Sequence, residues 1–318
     1  MEGRRVLSLF SGIGGFDMAI KKPSKTYFSE VDPKSVSVFK RHFPEAVALG
    51  DVTKIDWKAL KGIDLIVGGS PCTDVSSGAF LRSGGQVLGL QGSQSRLLSE
   101  FLRAIREFPR ADFILENVSS MGKDNAAAFD ALVKEAAGRR KVYRTEIDGA
   151  NFTGVRRRRL FWTSWPVPDV GSCKSVKWQR SLLPVNNTSH LQHSAQAKEY
   201  MNRRVKGGRT HWDFGFHHDT DNQVAKTITA IMKLSAPYNV IIDRRSGKPV
   251  IRRLSPEEVE SMMGFPKGWT KTGMDGEAIS DTTRMKQLGN AVVPAVIHYI
   301  LKSYSKTRPR PRPQRIGT

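Results

Sequence analysis

The stretch Ile63-Asp64-Leu65-Ile66-Val67-Gly68-Gly69-Ser70-Pro71-Cys72-Thr73-Asp74 constrains this chain more than any other. A short apolar run rich in β-branched residues, stopped by two glycines and a proline, reads as a strand buried on both faces, the pattern of a parallel sheet. In open α/β sheets the ligand crevice lies outside the carboxyl ends of the strands. Such a strand hands Cys72 to that crevice, where a thiol is a candidate nucleophile. Free cysteine is more often buried and inert, so other stretches have to decide between the two roles.

Three further strand ends point to the same edge. Arg4 to Phe10 reads as a first strand running into Ser11-Gly12-Ile13-Gly14-Gly15, with a helix expected to follow and to offer free N–H groups. Glycines at such a turn let the backbone approach a ligand closely, although many α/β proteins use them for packing alone. Lys25 to Ser29 is a second strand ending at Glu30, about where this architecture places a ribose-binding carboxylate. Val47 to Leu49 leads to Asp51, an acid able to bind an adenine amino group. Either acid alone would pass for a solvated loop residue; the ordered set is harder to ascribe to chance.

Beyond Cys72, Thr73 to Gly85 is glycine- and serine-rich and too long for a plain connector, as lids are. A helix is expected from Gln94 to Phe108, then a strand Ala111–Leu115 that delivers Glu116-Asn117-Val118. A carboxylate following an apolar strand is poised to be partly desolvated, unless it simply caps the next turn. Lys141 to Ile147 reads as another strand. In Val155-Arg156-Arg157-Arg158-Arg159-Leu160-Phe161-Trp162, strand alternation sends Arg157 and Arg159 to one face and Arg156 and Arg158 to the other. From Pro166 to Pro249 periodicity fades, and basic residues mix with Trp178, Tyr200, Trp212, Phe214 and Phe216, groups that reach phosphates and bases. His211, His217 and His218 lack the cysteine pattern of a metal site, so no metal is expected. Ser255-Pro256-Glu257-Glu258 opens a helix as an N-cap with proline at the first turn. Gln287 to Pro294 precedes an apolar helix through Tyr304, and the Arg/Pro tail from Lys306 should be extended.

Composition narrows the partners. Lys and Arg number 51 against 30 Asp and Glu, a formal charge of +21, which calls for a polyanion, nucleic acid before an anionic membrane. No apolar run approaches the roughly 20 residues of a bilayer span, and no signal-peptide core follows Met1. Two distant cysteines exclude a disulfide framework and suit a reducing, cytoplasmic compartment, nucleoid-associated if the source is bacterial.

In this order, the Phe10-to-Gly15 turn, Glu30, Asp51, Ser70-Pro71-Cys72, Glu116-Asn117-Val118, the arginine block and Gln287-to-Pro294 resemble the DNA (cytosine-5) methyltransferase family over nearly the whole chain. Gly68 to Asp74 and Glu116 to Gly122 are similar to the vertebrate de novo branch, whereas Gly289-Asn290-Ala291-Val292 resembles the bacterial enzymes. The missing large regulatory domain points to a bacterial or phage protein. One departure is Val155, where bacterial relatives carry glutamine; it removes a polar contact and affects base positioning.

The resemblance implies an α/β, Rossmann-like doubly wound sheet of the S-adenosylmethionine-dependent methyltransferase type. Residues 1–165, completed by 284–305, would hold catalysis, 166–283 would form a smaller inserted target-recognition lobe, and 306–318 a basic disordered tail. It implies transfer of a methyl group to C5 of a cytosine flipped out of duplex DNA, through a covalent adduct of Cys72 with C6. Glu116 would hold a proton at N3, Arg159 the base carbonyl and Arg157 the target phosphate. The S-adenosylmethionine site would comprise Phe10, Ser11, Gly12, Ile13, Gly14, Gly15, Glu30, Val31, Asp51, Val52, Pro71, Leu97, Asn290, Ala291 and Val292. The resemblance also allows for a cognate restriction endonuclease as a partner. Competing expectations are a transfer RNA methylating relative, whose Cys-Phe-Thr signature is absent here, a non-catalytic DNA-binding relative, and an enzyme making another C5 modification.

Overall fold

The computed structural model describes residues 2–70, 96–171, 176–188, 217–218, 224–230 and 239–307. Pro71, Cys72, the expected lid at 73–85, Cys173, His211 and the tail beyond Thr307 lie outside the described residues.

Strands and helices follow in the order β1 (Arg5–Leu9), β2 (Lys25–Ser29), α1 (Pro33–His42), β3 (Val47–Ala48), β4 (Leu65–Gly69), α2 (Arg96–Glu107), β5 (Asp112–Val118), α3 (Lys123–Ala137), β6 (Tyr143–Asp148), α4 (Ala150–Thr153) and β7 (Arg158–Thr163). The sheet order is β3-β2-β1-β4-β5-β7-β6. Neighbours from β3 to β5 are parallel, while β7 runs antiparallel to both β5 and β6. Strand order reverses between β1 and β4, which opens a crevice above their carboxyl ends.

Why the sheet is covered on both faces is visible in its strands. Successive side chains point to opposite faces, so an unbroken apolar run feeds two cores at once. Val6, Leu65, Val67, Ile114 and Phe161 enter one hydrophobic cluster, and Leu7, Ile66, Phe113, Leu115, Leu160 and Trp162 the other. Each fully buried side chain of this size contributes roughly 1.5–3 kcal/mol.

The helix expected after the glycine turn is not there. A single 3-10 turn, Asp17–Ala19, takes its place. The amides of Ser11, Gly12 and Gly14 are committed to the Ser29 carbonyl, the Glu30 carboxylate and the Ser11 carbonyl, and the Asp17 carboxyl to the Ser8 hydroxyl. The layer position is filled from the other end of the chain. Helix α7 (Pro294–Thr307) sets Val296, Ile297, Ile300 and Leu301 against Ile13, Phe16 and Ile20. Trp165, just past β7, ties it down by donating its indole N–H to Ile300 O at 3.2 Å and Ser303 Oγ at 3.1 Å. The helix runs to Thr307, past the boundary expected for the tail.

The remaining elements are β8 (His217–His218), β9 (Val240–Asp243), β10 (Val250–Arg253), α5 (Pro256–Met263) and α6 (Asp281–Asn290). Strands β10, β9 and β8 form a small sheet in that order. Helix α5 begins as its sequence requires: Ser255 and Glu258 form a reciprocal capping box, Pro256 occupies the first turn, and Gly264 ends it at φ +84°. Glu258 also pairs with buried Arg252 at 2.8 Å, which reaches Asp243 at 2.9 Å. Burial alone would push Asp243 up, but hydrogen bonds from Arg245 and Arg252 hold its carboxyl well below the usual carboxylate range. Trp178, Ala225, Ile241, Leu254, Met262 and Met285 share one cluster with the sheet residues Val6 and Val67, so the core is continuous across the expected lobe boundary.

Two outcomes are expected. A Cβ at Gly68 would lie 2.4 Å from the Leu9 carbonyl oxygen, backbone that cannot swing away. Gly68→Ala should therefore cost about 1–3 kcal/mol of stability, read as a lower thermal midpoint; an unchanged midpoint would refute the tight β1–β4 contact. Asp17 is buried, and burial pushes its carboxyl up to about 7 against the opposing Ser8 hydrogen bond. Between the unfolded and folded pKa values the fold holds the extra proton, so Asp17's contribution is complete at acid pH and declines as pH rises through about 7. The stability of Asp17→Asn relative to wild type should rise between about pH 4 and 7, measured calorimetrically. A difference independent of pH would show that the carboxyl titrates normally.

Candidate active site

A cavity of about 490 Å³ opens at the carboxyl edge of the sheet. Its first wall is the turn after β1, with Phe10, Ser11, Gly12, Ile13 and Gly15 on its surface. Phe10 has φ +55°, a left-handed backbone that costs a non-glycine residue of order 1–3 kcal/mol. Gly12 (φ +52°) would face open space with an added Cβ, whereas at Gly14 (φ +84°) a Cβ would lie 2.5 Å from the Phe43 ring. Gly12 thus leaves room in the crevice, and Gly14 leaves room for packing behind it.

The second wall follows β2. Glu30 Oε2 accepts from Gly12 N at 2.9 Å, and Oε1 accepts from Val31 N and Asp32 N, each at 2.9 Å. Three backbone donors leave part of the carboxylate's acceptor capacity for a ligand and fix its direction. Val31, 68% exposed, presents an apolar side chain beside it. Asn290, Ala291 and Val292, where α6 ends, close the opposite side. A Cβ on Gly15 would lie 2.9 Å from Val292 Cγ2, so that glycine permits the two walls to meet.

The floor is set by β5 and β7. Their antiparallel register pairs Glu116 with Phe161 and Val118 with Arg159, which makes Glu116 and Arg159 diagonal neighbours on one face. Arg159 Nε lies 2.8 Å from Glu116 Oε1. Glu116 lies within β5, not after it, and it does not stand alone in an apolar wall: a guanidinium faces it. Buried Arg157 donates its backbone N–H to Asp148 Oδ1 at 2.8 Å and its Nη2 to the Gly289 carbonyl at 3.1 Å. Arg158 is exposed and pairs with Glu146 instead. The alternation expected of the arginine block holds for these three residues.

Of the other expected site residues, Gly14, Asp51, Val52 and Leu97 are not on the cavity wall, and Pro71 and Cys72 lie outside the described residues. Asp51 accepts from Thr53 N and Thr53 Oγ1, capping a 3-10 turn, and those bonds hold its carboxyl below its ordinary value. Val52 is buried in the second cluster, and Leu97 packs against that cluster from α2. Val155 is fully buried and bridges Ala225, so this position serves the core and not the cavity surface. Ser70, Asn117, Lys286 and Gln287 line the cavity without having been singled out as site residues. Asn117 Nδ2 donates to Ser70 Oγ at 3.0 Å and so holds the end of β4, directly before Pro71-Cys72. Its adjacency to Glu116 was the available signal; for Lys286, one turn inside a helix, there was none.

A switch-point cavity with an acid fixed at the end of β2 and a Glu–Arg pair on its floor marks an α/β protein of the doubly wound class. The sequence profile described as C-5 cytosine-specific DNA methylase matches residues 4–164 and 167–306, and the chain belongs to that family. It is 24% identical over 313 residues to the Type II methyltransferase M1.ScrFI of Lactococcus lactis subsp. cremoris, covering 93% of this chain and 76% of the relative. It is 36% identical over 123 residues to the orphan methyltransferase M.SPRI of Bacillus phage SPR, covering 37% of this chain and 27% of the relative. Among solved structures, the Entamoeba histolytica methyltransferase EhMeth superposes with a TM-score of 0.71 at 14% identity, covering 96% of this chain and 99% of that one. This last likeness concerns the fold.

The floor geometry carries a direct test. A Cβ at Gly69 would lie 2.5 Å from Glu116 Oε2. Gly69→Ala should displace the carboxylate from Arg159 and cut turnover by roughly 100-fold or more, with the fold retained by circular dichroism. Turnover within about twofold of wild type would mean that the Glu116 position is not needed.

Proposed function

We propose that this chain methylates C5 of cytosine in duplex DNA, with S-adenosylmethionine as methyl donor. The observation that carries this is the Glu116–Arg159 pair on the floor of a cavity whose wall includes Ser70, close in sequence to Cys72. The residues present suit the donor. Glu30, prepositioned by three backbone amides, has acceptor capacity for ribose hydroxyls, and exposed Val31 offers an apolar face to an adenine ring. When bound, S-adenosylmethionine supplies an electrophilic methyl group.

Cytosine C5 is weakly nucleophilic, and the chain's own residues remedy that. The Cys72 thiolate forms a bond to C6, and the displaced electron pair becomes enamine density at C5. Glu116 holds a proton at N3, and Arg159 holds the base carbonyl, so the charge arising on the ring is stabilised where it develops. Arg157, fixed by Asp148 and Gly289, contributes a further cation to the same wall. Once C5 carries the methyl group, transfer of the C5 proton to a water molecule leaves its electron pair to re-form the C5–C6 double bond, which expels the Cys72 thiolate and restores aromaticity. A base stacked and paired inside a duplex cannot enter an enzyme cavity, so the cytosine must leave the stack.

Residues 1–165 with 284–305 would perform this chemistry, and 166–283 would read the target; the net charge of the whole chain, +21, favours duplex DNA. The Type II designation of M1.ScrFI supports a restriction-modification setting with a cognate endonuclease as partner.

Bisulfite sequencing of plasmid DNA from cells expressing the wild type and Cys72→Ala tests the proposal. Protection of cytosines within one short sequence is expected for the wild type only. Soluble wild type that takes up S-adenosylmethionine yet protects no cytosine would sink the DNA assignment and favour RNA. Glu116→Gln should slow single-turnover transfer at least about 100-fold while leaving cofactor affinity within about threefold. An unchanged rate would remove Glu116 from the proton role.

A further inference from the structure

Trp269 belongs to none of the motifs that define the cavity, yet it is bonded to the cavity's glycine-rich turn. Its indole Nε1 donates to the Ile13 carbonyl at 2.9 Å. The ring lies flat on His42, with centroids 3.5 Å apart and planes within 4°, and His42 Nε2 lies 2.7 Å from the Trp269 carbonyl. Apolar contact alone would require a ring there but no donor. The donor is aimed at backbone, in the turn whose Ser11 and Gly12 amides are tied to Ser29 and Glu30.

The loop that carries Trp269 is itself held by one buried carboxylate. Glu260, on α5, accepts from Gly268 N, from Thr270 N at 2.8 Å and from Thr270 Oγ1 at 2.6 Å. Arg284, on α6, reaches Glu260 at 3.1 Å and Thr270 Oγ1 at 3.1 Å. Helix α6 continues to Asn290 on the opposite cavity wall. The same ion cluster therefore sets the loop against Ile13 and anchors the helix that leads to the facing wall.

We propose that Trp269 is a positioning residue for the cofactor: by holding the Ile13 carbonyl it fixes the peptide planes of the turn, and so the shape of the first cavity wall. This rests on the assignment of that wall to S-adenosylmethionine. Losing the donor weakens cofactor binding; it does not slow transfer once the site is filled, because Glu116, Arg159 and Cys72 are untouched.

The test is calorimetric titration of the full chain with S-adenosylmethionine, with turnover measured at saturating cofactor. Trp269→Phe keeps an aromatic ring over His42 and removes the donor. Binding about tenfold weaker is expected, with kcat within about twofold of wild type. Thr270→Val loosens the same loop while keeping the indole, and its binding should be weakened less than in Trp269→Phe at an equal loss of thermal midpoint. Equal affinity of Trp269→Phe and wild type overturns the proposal, as does a fall in kcat alongside affinity, or an equal effect of Thr270→Val. If Trp269→Phe does not fold, His42→Ala substitutes: freeing the indole should weaken binding several-fold, and unchanged binding is again fatal. A wild type that takes up no S-adenosylmethionine overturns the cofactor assignment as well, which separates the two failures.

Discussion

The reversal of β7 against β5 is the constraint on which the active-site floor depends. In a wholly parallel sheet, the strand beside β5 would send its residues in the same direction, and a run of arginines at its beginning would lie at the far edge from Glu116. Because β7 runs the other way, its first residues meet the last residues of β5. Arg159 then lies diagonal to Glu116 on one face, at 2.8 Å, while Arg158 points to solvent and Glu146. The cost is an ion pair taken largely out of water, tolerable because both partners are hydrogen-bonded and close. Gly69, in the next strand, completes the arrangement by having no side chain where the carboxylate sits.

Around that floor the structure repeatedly uses buried charge to fix direction more than to add stability. Glu30 is oriented by three amides, Glu260 by a loop and Arg284, and Glu258 by Arg252 and its own cap. Replacing such clusters by apolar groups often leaves stability unchanged or improved, but apolar contacts have no preferred angle. Here each cluster fixes one element or loop against its neighbour, and the one at Glu30 lies on the cavity wall. The left-handed Phe10 belongs to the same logic: a strained residue persists where packing around it over-determines its conformation.

Much of this was legible beforehand, for reasons that are local. Strands β1, β2, β4 and β6, the cap of α5 and the alternation of Arg157 with Arg159 follow from periodicity and cap chemistry, which act over a few residues. The helix expected after Gly15 failed for a non-local reason. The space it would have filled went to α7, nearly the whole chain away. At Asp51, spacing identified an acid at a strand end, and the structure adds that its Oδ1 caps the following turn through Thr53.

By itself the sequence determined the alternating α/β plan, the two-faced core, the edge of the sheet where chemistry gathers and the family to which the chain belongs. Those depend on hydrophobic period, turn residues and ordered motifs, all of which are encoded within short windows. Tertiary structure alone decided that Arg159 faces Glu116, that Val155 turns into the core, that Asn117 holds Ser70 and that Trp269 reaches Ile13. Each is a contact between distant segments, and its existence depends on strand direction and layer occupancy, quantities that no short window contains.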